Sequence, residues 1–113
     1  MDSVRATEAA SAAVAKSPNT RVKLEDIEAA IAGEYTFNAK EAIDVLGMPA
    51  LAALGVLTVT VIVMKNGFTV VGKTAPADPE NYDAELGRKF SREDAIRQLW
   101  PLMGFSLRDR LAA

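Results

Sequence analysis

The strongest structural instruction in the chain is Asn66-Gly67, set between Val56-Leu57-Thr58-Val59-Thr60-Val61-Ile62-Val63-Met64-Lys65 and Phe68-Thr69-Val70-Val71-Gly72-Lys73-Thr74. Both flanks are rich in β-branched residues, which favour extended backbone, and Asn-Gly tolerates positive φ, so the segment predicts a type I′ hairpin. A two-residue turn fixes the register. Lys65 then faces Phe68, Val63 faces Val70 and Val61 faces Gly72 on one side of the sheet, with Met64, Ile62 and Val71 on the other. Both faces come out substantially apolar and ask for cover, one by a long helix and the other by a further helix or another subunit.

The same region passes a length test for a membrane span, because Val45 to Met64 is twenty residues without a charge. Gly47, Pro49 and Gly55 interrupt it, and Thr58 and Thr60 alternate with apolar residues in its second half. That pattern favours a buried strand.

Asp78-Pro79 reads as a helix opening, aspartate as cap and proline as first helical residue, with the helix running from about Pro79 to Trp100. On a helical wheel Tyr82, Leu86, Phe90, Ile96, Leu99 and Trp100 share one broad apolar arc, the expected core face. Gly87, Ser91 and Ala95 form a narrower stripe of small residues that another backbone can approach closely. Arg88 and Arg92 lie between the two. Pro101 ends or kinks the helix, and Leu102 to Leu111 continues as a partly helical tail, with Gly104 as hinge and Phe105 and Leu107 as anchors.

Upstream, residues 1–22 form an Ala- and Ser-rich arm in which Asp2 to Lys16 suits a short helix and Pro18-Asn19-Thr20 a break. Alanines bury little area, so the arm is expected to fray or to order against a partner subunit. Leu24 to Glu34 reads as an amphipathic helix with Leu24, Ile27 and Ile31 on one face and acids in its first turn. Tyr35-Thr36-Phe37 is β-prone, and Ala39 to Leu46 adds helical turns until Gly47-Met48-Pro49. The expected fold is α+β: a small antiparallel sheet built on a central hairpin, packed by a long C-terminal helix and a short N-terminal helix. Residues 23–113 form its single domain.

A chain of 113 residues builds one core and leaves much surface exposed, which makes oligomerisation a natural way to bury more. Thirteen basic against fifteen acidic side chains give a charge of −2, without the positive field that a nucleic acid polymer calls for. Arg88, Lys89, Arg92 and Arg97 are interleaved with Glu85, Glu93 and Asp94, which repel phosphate. Cysteine and histidine are absent, which removes disulfides, thiolate chemistry, Ser/His and Cys/His dyads and the usual zinc sites. No basic start precedes an apolar core at the N-terminus, so a signal peptide is not expected and the cytoplasm is the default.

The candidates for chemistry are few. Arg88 and Arg92 present planar guanidinium forks suited to phosphate, or else sit in surface ion pairs with Glu85 or Glu93. Phe68 beside the hairpin tip is either a stacking platform for a base or a core contact. Asp78 and Asn81 offer hydrogen bonds to ribose or base edges, with Asp78 also fitted to cap a helix. Asp78, Asp83 and Glu85 are ordinary surface acids in this reading. No catalytic, metal or cofactor residue is assigned.

Three stretches together carry a family likeness: Asn66-Gly67-Phe68-Thr69-Val70-Val71-Gly72, Ala77-Asp78-Pro79-Glu80-Asn81-Tyr82-Asp83-Ala84-Glu85-Leu86-Gly87-Arg88-Lys89, and Arg92-Glu93-Asp94-Ala95-Ile96 through Leu99-Trp100-Pro101-Leu102-Met103-Gly104-Phe105. The chain resembles the short phage accessory proteins, a family that includes the Thoeris anti-defence sponges. The likeness is weaker over Val22 to Tyr35 and nearly continuous over Val56 to Leu111. It implies an α+β subunit that assembles into dimers or hexamers in the infected host's cytoplasm and withholds a cyclic ADP-ribose-type signal from its effector. In that picture Arg88 and Arg92 neutralise phosphates and Phe68 stacks on a base. The competing reading is a structural module that only oligomerises. The sequence departs from the family pattern in its Ala-rich arm, in Lys23 where a helix-capping threonine is usual, in Lys73-Thr74 where a serine is typical, and across residues 38–55.

Overall fold

A computed structural model describes residues 3–16 and 20–113; the expected helix start at Asp2 and the break at Pro18-Asn19 lie outside them. Its elements run α1 (Ser3–Val14), α2 (Leu24–Ala29), β1 (Ile31–Asn38), α3 (Ala39–Val45), a 3-10 turn (Ala52–Val56), β2 (Thr58–Met64), β3 (Thr69–Thr74), a second 3-10 turn (Pro79–Asn81) and α4 (Ala84–Ala112). The three strands form one antiparallel sheet in the order β1-β2-β3, and α4 lies across one face of it. This is the expected α+β architecture. Among the described residues no helix is long and apolar enough to cross a membrane, and the uncharged run from Val45 ends in β2.

The hairpin register differs by one residue from the expected one. Val63 pairs with Thr69, Ile62 with Val70 and Val61 with Val71. The turn is the cause: Gly67 takes φ 89° while Asn66 stays at negative φ, and the Gly67 amide donates to the Met64 carbonyl at 2.8 Å. A type I turn followed by a left-handed glycine makes a three-residue loop, closed by the Met64 amide on the Phe68 carbonyl at 2.8 Å. The Asn66 side chain accepts from the Phe68 amide at 2.9 Å, which holds the asparagine at negative φ. One extra loop residue carries every β3 side chain to the opposite face. Val70 and Gly72 therefore join Thr58, Thr60, Ile62 and Met64 beneath α4, and Val71 is exposed.

The buried face of α4 also differs from the apolar arc. Gly87, Ser91, Glu93, Ala95, Ile96 and Leu99 are buried, while Leu86 and Phe90 are 47% and 44% exposed. The small-residue stripe thus receives the chain's own sheet. A Cβ placed on Gly72 would lie 2.1 Å from the Ser91 carbonyl oxygen, and one on Gly87 would lie 2.4 Å from Thr58 Oγ1. Contact this close brings Ile62, Val70, Ile96 and Leu99 together with Leu24, Ile27 and Met64. Each fully buried aliphatic side chain contributes about 1.5–3 kcal/mol.

A chain of hydroxyls crosses this interface. Thr36 Oγ1 lies 2.8 Å from Thr60 Oγ1, which lies 2.7 Å from Ser91 Oγ, and Ser91 donates to the Arg88 carbonyl at 3.2 Å. With the Ser91 proton so committed, Thr60 donates to Ser91 and Thr36 to Thr60.

The long helix starts later and ends later than its sequence suggests. Asp78 caps only the 3-10 turn, accepting from the Glu80 amide at 3.0 Å, and Asp83 caps α4 by accepting from the Leu86 amide at 3.0 Å. Pro101 is exposed and α4 continues through it to Ala112, giving up one backbone hydrogen bond without ending. The first expected helix is shorter instead. It stops at Ala29, and Ile31 to Glu34 belong to β1, drawn into the ladder with β2.

The Ala-rich arm folds back on its own chain. Val4 is 3% exposed and joins the core, its amide donates to the Glu93 carboxylate at 3.3 Å, and Arg97 donates to Ser3 Oγ. Glu8 accepts from the Leu24 amide and from Arg21, each at 2.6 Å. The arm thereby serves the first turn of α2, where Lys23 stands in the capping position and makes no side-chain capping bond.

Candidate functional site

A concave surface with polar walls lies at the head of α4, built around Tyr82. Tyr82 sits between two capped turns, its amide donating to the Pro79 carbonyl at 3.2 Å, with Asp83 starting α4 directly after it. A cavity of about 170 Å³ on one side is lined by Thr36, Phe37, Asn38, Glu41, Thr58, Tyr82, Ala84 and Arg88. A cavity of about 270 Å³ on the other shares Thr58 and Tyr82 and adds, among others, Pro76, Asn81, Leu86 and Phe90. Gly87 forms part of its floor, because the missing side chain lets β2 come up under the helix.

Asn38 ties this site to the sheet. Its Oδ1 accepts from the amides of Lys40 at 3.0 Å and Glu41 at 3.2 Å, capping α3, and its Nδ2 donates to the Gly55 carbonyl at 2.8 Å and to the Tyr82 hydroxyl at 3.3 Å. Thr58, 4% exposed, stands in the wall common to both cavities, and its hydroxyl has no hydrogen-bond partner.

The candidate residues divide among several places. Arg88 lines the smaller cavity with an exposed side chain, and no ion pair engages it among the described residues. Asn81 lines the larger cavity, so Tyr82 stands between the two. Arg92, one turn beyond Arg88, is engaged: its Nε donates to Glu34 at 2.6 Å, and its Nη2 lies 3.9 Å from Glu28. Its acids come from α2 and β1 rather than from Glu85 or Glu93. Asp78 is a cap. Phe68, 53% exposed, borders a separate apolar groove of about 430 Å³ with Met64, Leu99, Leu102 and Met103. From Arg88 to Leu99 is roughly 17 Å along the helix at 1.5 Å per residue, so one subunit does not bring Phe68 to the guanidinium.

Phe37, Asn38, Glu41 and Tyr82 are the site residues that sequence reasoning passed over. Asn38 immediately before a helical stretch is a capping signal, and it marks where β1 meets the cavity. The helical wheel puts Tyr82 in the core; in the structure it is half-buried and lines the cavity.

Beyond the cavities, the face of the sheet turned away from α4 carries Tyr35, Phe37 and Val71, which are 61%, 40% and 51% exposed, alongside Val59, Val61 and Val63. This is the second apolar face anticipated from the strand pattern.

Fold and site together define a small α+β protein, a three-stranded antiparallel sheet backed by one long helix with a polar double cavity at that helix's head. Over residues 22–111 the chain matches the model of the Phage protein (N4 Gp49/phage Sf6 gene 66) family, and it belongs to that family. The match begins at Val22, just before α2, and takes in every element from α2 through nearly all of α4. No curated protein and no solved structure shows a significant match to the chain.

Proposed function

We propose that this phage protein is a non-enzymatic binder that sequesters a cyclic nucleotide signal of the cyclic ADP-ribose type in the cytoplasm of the infected host, countering a Thoeris-like defence. The supporting observation is Arg88, an exposed guanidinium without an ion-pair partner among the described residues, at a cavity whose other walls are hydroxyl, amide and aromatic groups and the Glu41 carboxylate. Guanidinium binds phosphate oxygens bidentately, and a ring at a cavity edge offers a base a stacking surface. Tyr82, Phe37 and Phe90 are rings in the cavity walls at this end of the molecule, and Phe68 would reach the same ligand from a neighbouring copy. Arg92 enters this reading as a scaffold residue, its charge already met by Glu34.

The test is ligand retention. The purified protein is incubated with cyclic ADP-ribose isomers and cyclic oligonucleotides, separated from free ligand, and heated to release what it holds. Intact ligand is expected from the unmutated protein and not from Arg88→Ala. Product instead of intact ligand would make it an enzyme, and no retention by the unmutated protein would remove the sponge reading.

The open apolar sheet face favours a second reading, an assembly module whose task is to oligomerise. An oligomer that retains no nucleotide, and that Val71→Lys or Tyr35→Glu dissociates in sedimentation, would select it.

A further inference from the structure

We infer that the Tyr82 hydroxyl is a dedicated proton donor in the smaller cavity, and that it and Arg88 form a phosphoryl-binding subsite which the Glu41 carboxylate opposes. The inference rests on the nucleotide-binding reading for its biological ligand, and on the following geometry for its chemistry.

The Asn38 amide cannot flip without losing its cap, since Oδ1 accepts from two backbone amides, those of Lys40 and Glu41. Its Nδ2 is therefore the group that faces the Tyr82 oxygen, at 3.3 Å, and the phenol is the acceptor in that bond. The phenolic proton has no acceptor among the described residues and is left for something in the cavity. Arg88 adds donors and no acceptor, and the Thr58 hydroxyl in the same wall is buried without a partner.

Apart from Glu41, the groups that Tyr82 and Arg88 offer the cavity are donors, which suit a ligand group made only of acceptors. At about 170 Å³ the cavity is smaller than those that enclose whole small molecules, typically 300–1,000 Å³, and it opens beside the larger cavity across Thr58 and Tyr82. It therefore takes the phosphoryl end of a ligand whose remainder lies next door. Glu41 is the carboxylate in its lining, exposed and without an ion pair among the described residues. Close to a bound phosphoryl group its charge is repulsive, the more so the more negative the ligand, so it holds phosphoryl affinity down.

Pyrophosphate is the probe. Isothermal titration and phosphorus NMR of the full chain should show saturable binding that Arg88→Ala removes. Tyr82→Phe keeps the ring and deletes the proton, and should weaken binding by about 10- to 100-fold, the worth of a hydrogen bond to a charged group. Glu41→Gln should tighten binding several-fold, and Tyr35→Phe on the open sheet face should leave it unchanged. Glu41 is exposed, so its variant keeps the test decisive even if Tyr82→Phe loosens the Asn38 contact, which circular dichroism and thermal melting would reveal. Absent pyrophosphate binding, or binding that neither Tyr82→Phe weakens nor Glu41→Gln strengthens, would overturn the inference. Pyrophosphate binding with these dependences but no retained cyclic nucleotide would keep the subsite and discard the sponge. Cyclic nucleotide retention indifferent to both variants would do the reverse.

Discussion

Gly72→Ala is the sharpest test of how α4 meets the sheet. The added methyl would sit 2.1 Å from the Ser91 carbonyl oxygen, 2.5 Å from the Ala95 nitrogen and 2.9 Å from the Ala95 Cβ. Two of these atoms are helix backbone, so no rotamer change relieves the clash. Reaching ordinary contact at 3.4 Å opens the interface by about 1.3 Å. A radial gap of 0.5–1 Å forfeits a quarter to a half of the dispersion energy across it. Applied to Ile62, Val70, Ile96 and Leu99, each contributing about 2 kcal/mol, a loss of a third or more comes to about 3 kcal/mol. For a domain of this size that lowers Tm by more than 10 °C. Gly104→Ala supplies the opposite sign in the same helix, since nothing lies within 4 Å of a Cβ there, and replacing a helix-interior glycine should stabilise by about 0.5–1 kcal/mol. Urea denaturation followed by tryptophan fluorescence measures both. If Gly72→Ala melted within 0.5 kcal/mol of the unmutated protein, the close approach of α4 would be refuted.

Glu8 should make stability pH-dependent in acid. Its hydrogen bond from Arg21, joined by that from the Leu24 amide, holds its carboxyl below the ordinary value of 4.5 against an opposing contribution from burial. The unfolded chain then binds the proton more readily, so this contribution is present above pH 4.5 and is lost as pH falls through the folded value. Between pH 6 and 3 the denaturation midpoint should therefore drop further for the unmutated protein than for Glu8→Gln. Arg92→Ala should lower stability by up to about 1 kcal/mol through its ion pair with Glu34, while Arg88→Ala leaves the urea midpoint within about 0.5 kcal/mol. Trp100→Phe removes the chain's single indole and its bond to the Val22 carbonyl, 3.0 Å long, and should cost about 1 kcal/mol in urea denaturation followed by circular dichroism.

The hairpin, the second apolar sheet face and the α+β class were legible because each follows from local pattern. The register was not, since Asn-Gly serves both a two-residue turn and a type I turn with a trailing left-handed glycine, and only tertiary packing selects between them. Choosing the second put Gly72 under α4, and that glycine turned the helix: Ile96 and Leu99 of the expected arc stay buried, but with a flat spot opposite, burying Gly87, Ser91 and Ala95 brings two backbones closer than Leu86 and Phe90 would allow. A helical wheel sees the helix and not the surface it meets. Arg92 illustrates the same gap, its acid lying 58 residues away on β1. Asn81 and Arg88 flank one site through the turn around Tyr82, a local arrangement, whereas Phe68 is separated from them by the length of a helix that sequence spacing compresses.

The docking of α1 has a consequence for the order in which the molecule assembles. The acceptor for the Val4 amide is Glu93, 89 residues later, and the donor to Ser3 is Arg97. Both partners lie on α4, so the Val4 end of α1 has no seat until α4 exists, although Glu8 meets Arg21 and the Leu24 amide nearer by in the chain. Closing so long a loop is slow compared with forming the hairpin. The Val4 end of the arm should therefore be late to gain protection from hydrogen exchange on refolding, and a chain stalled before α4 would hold the arm only through Glu8.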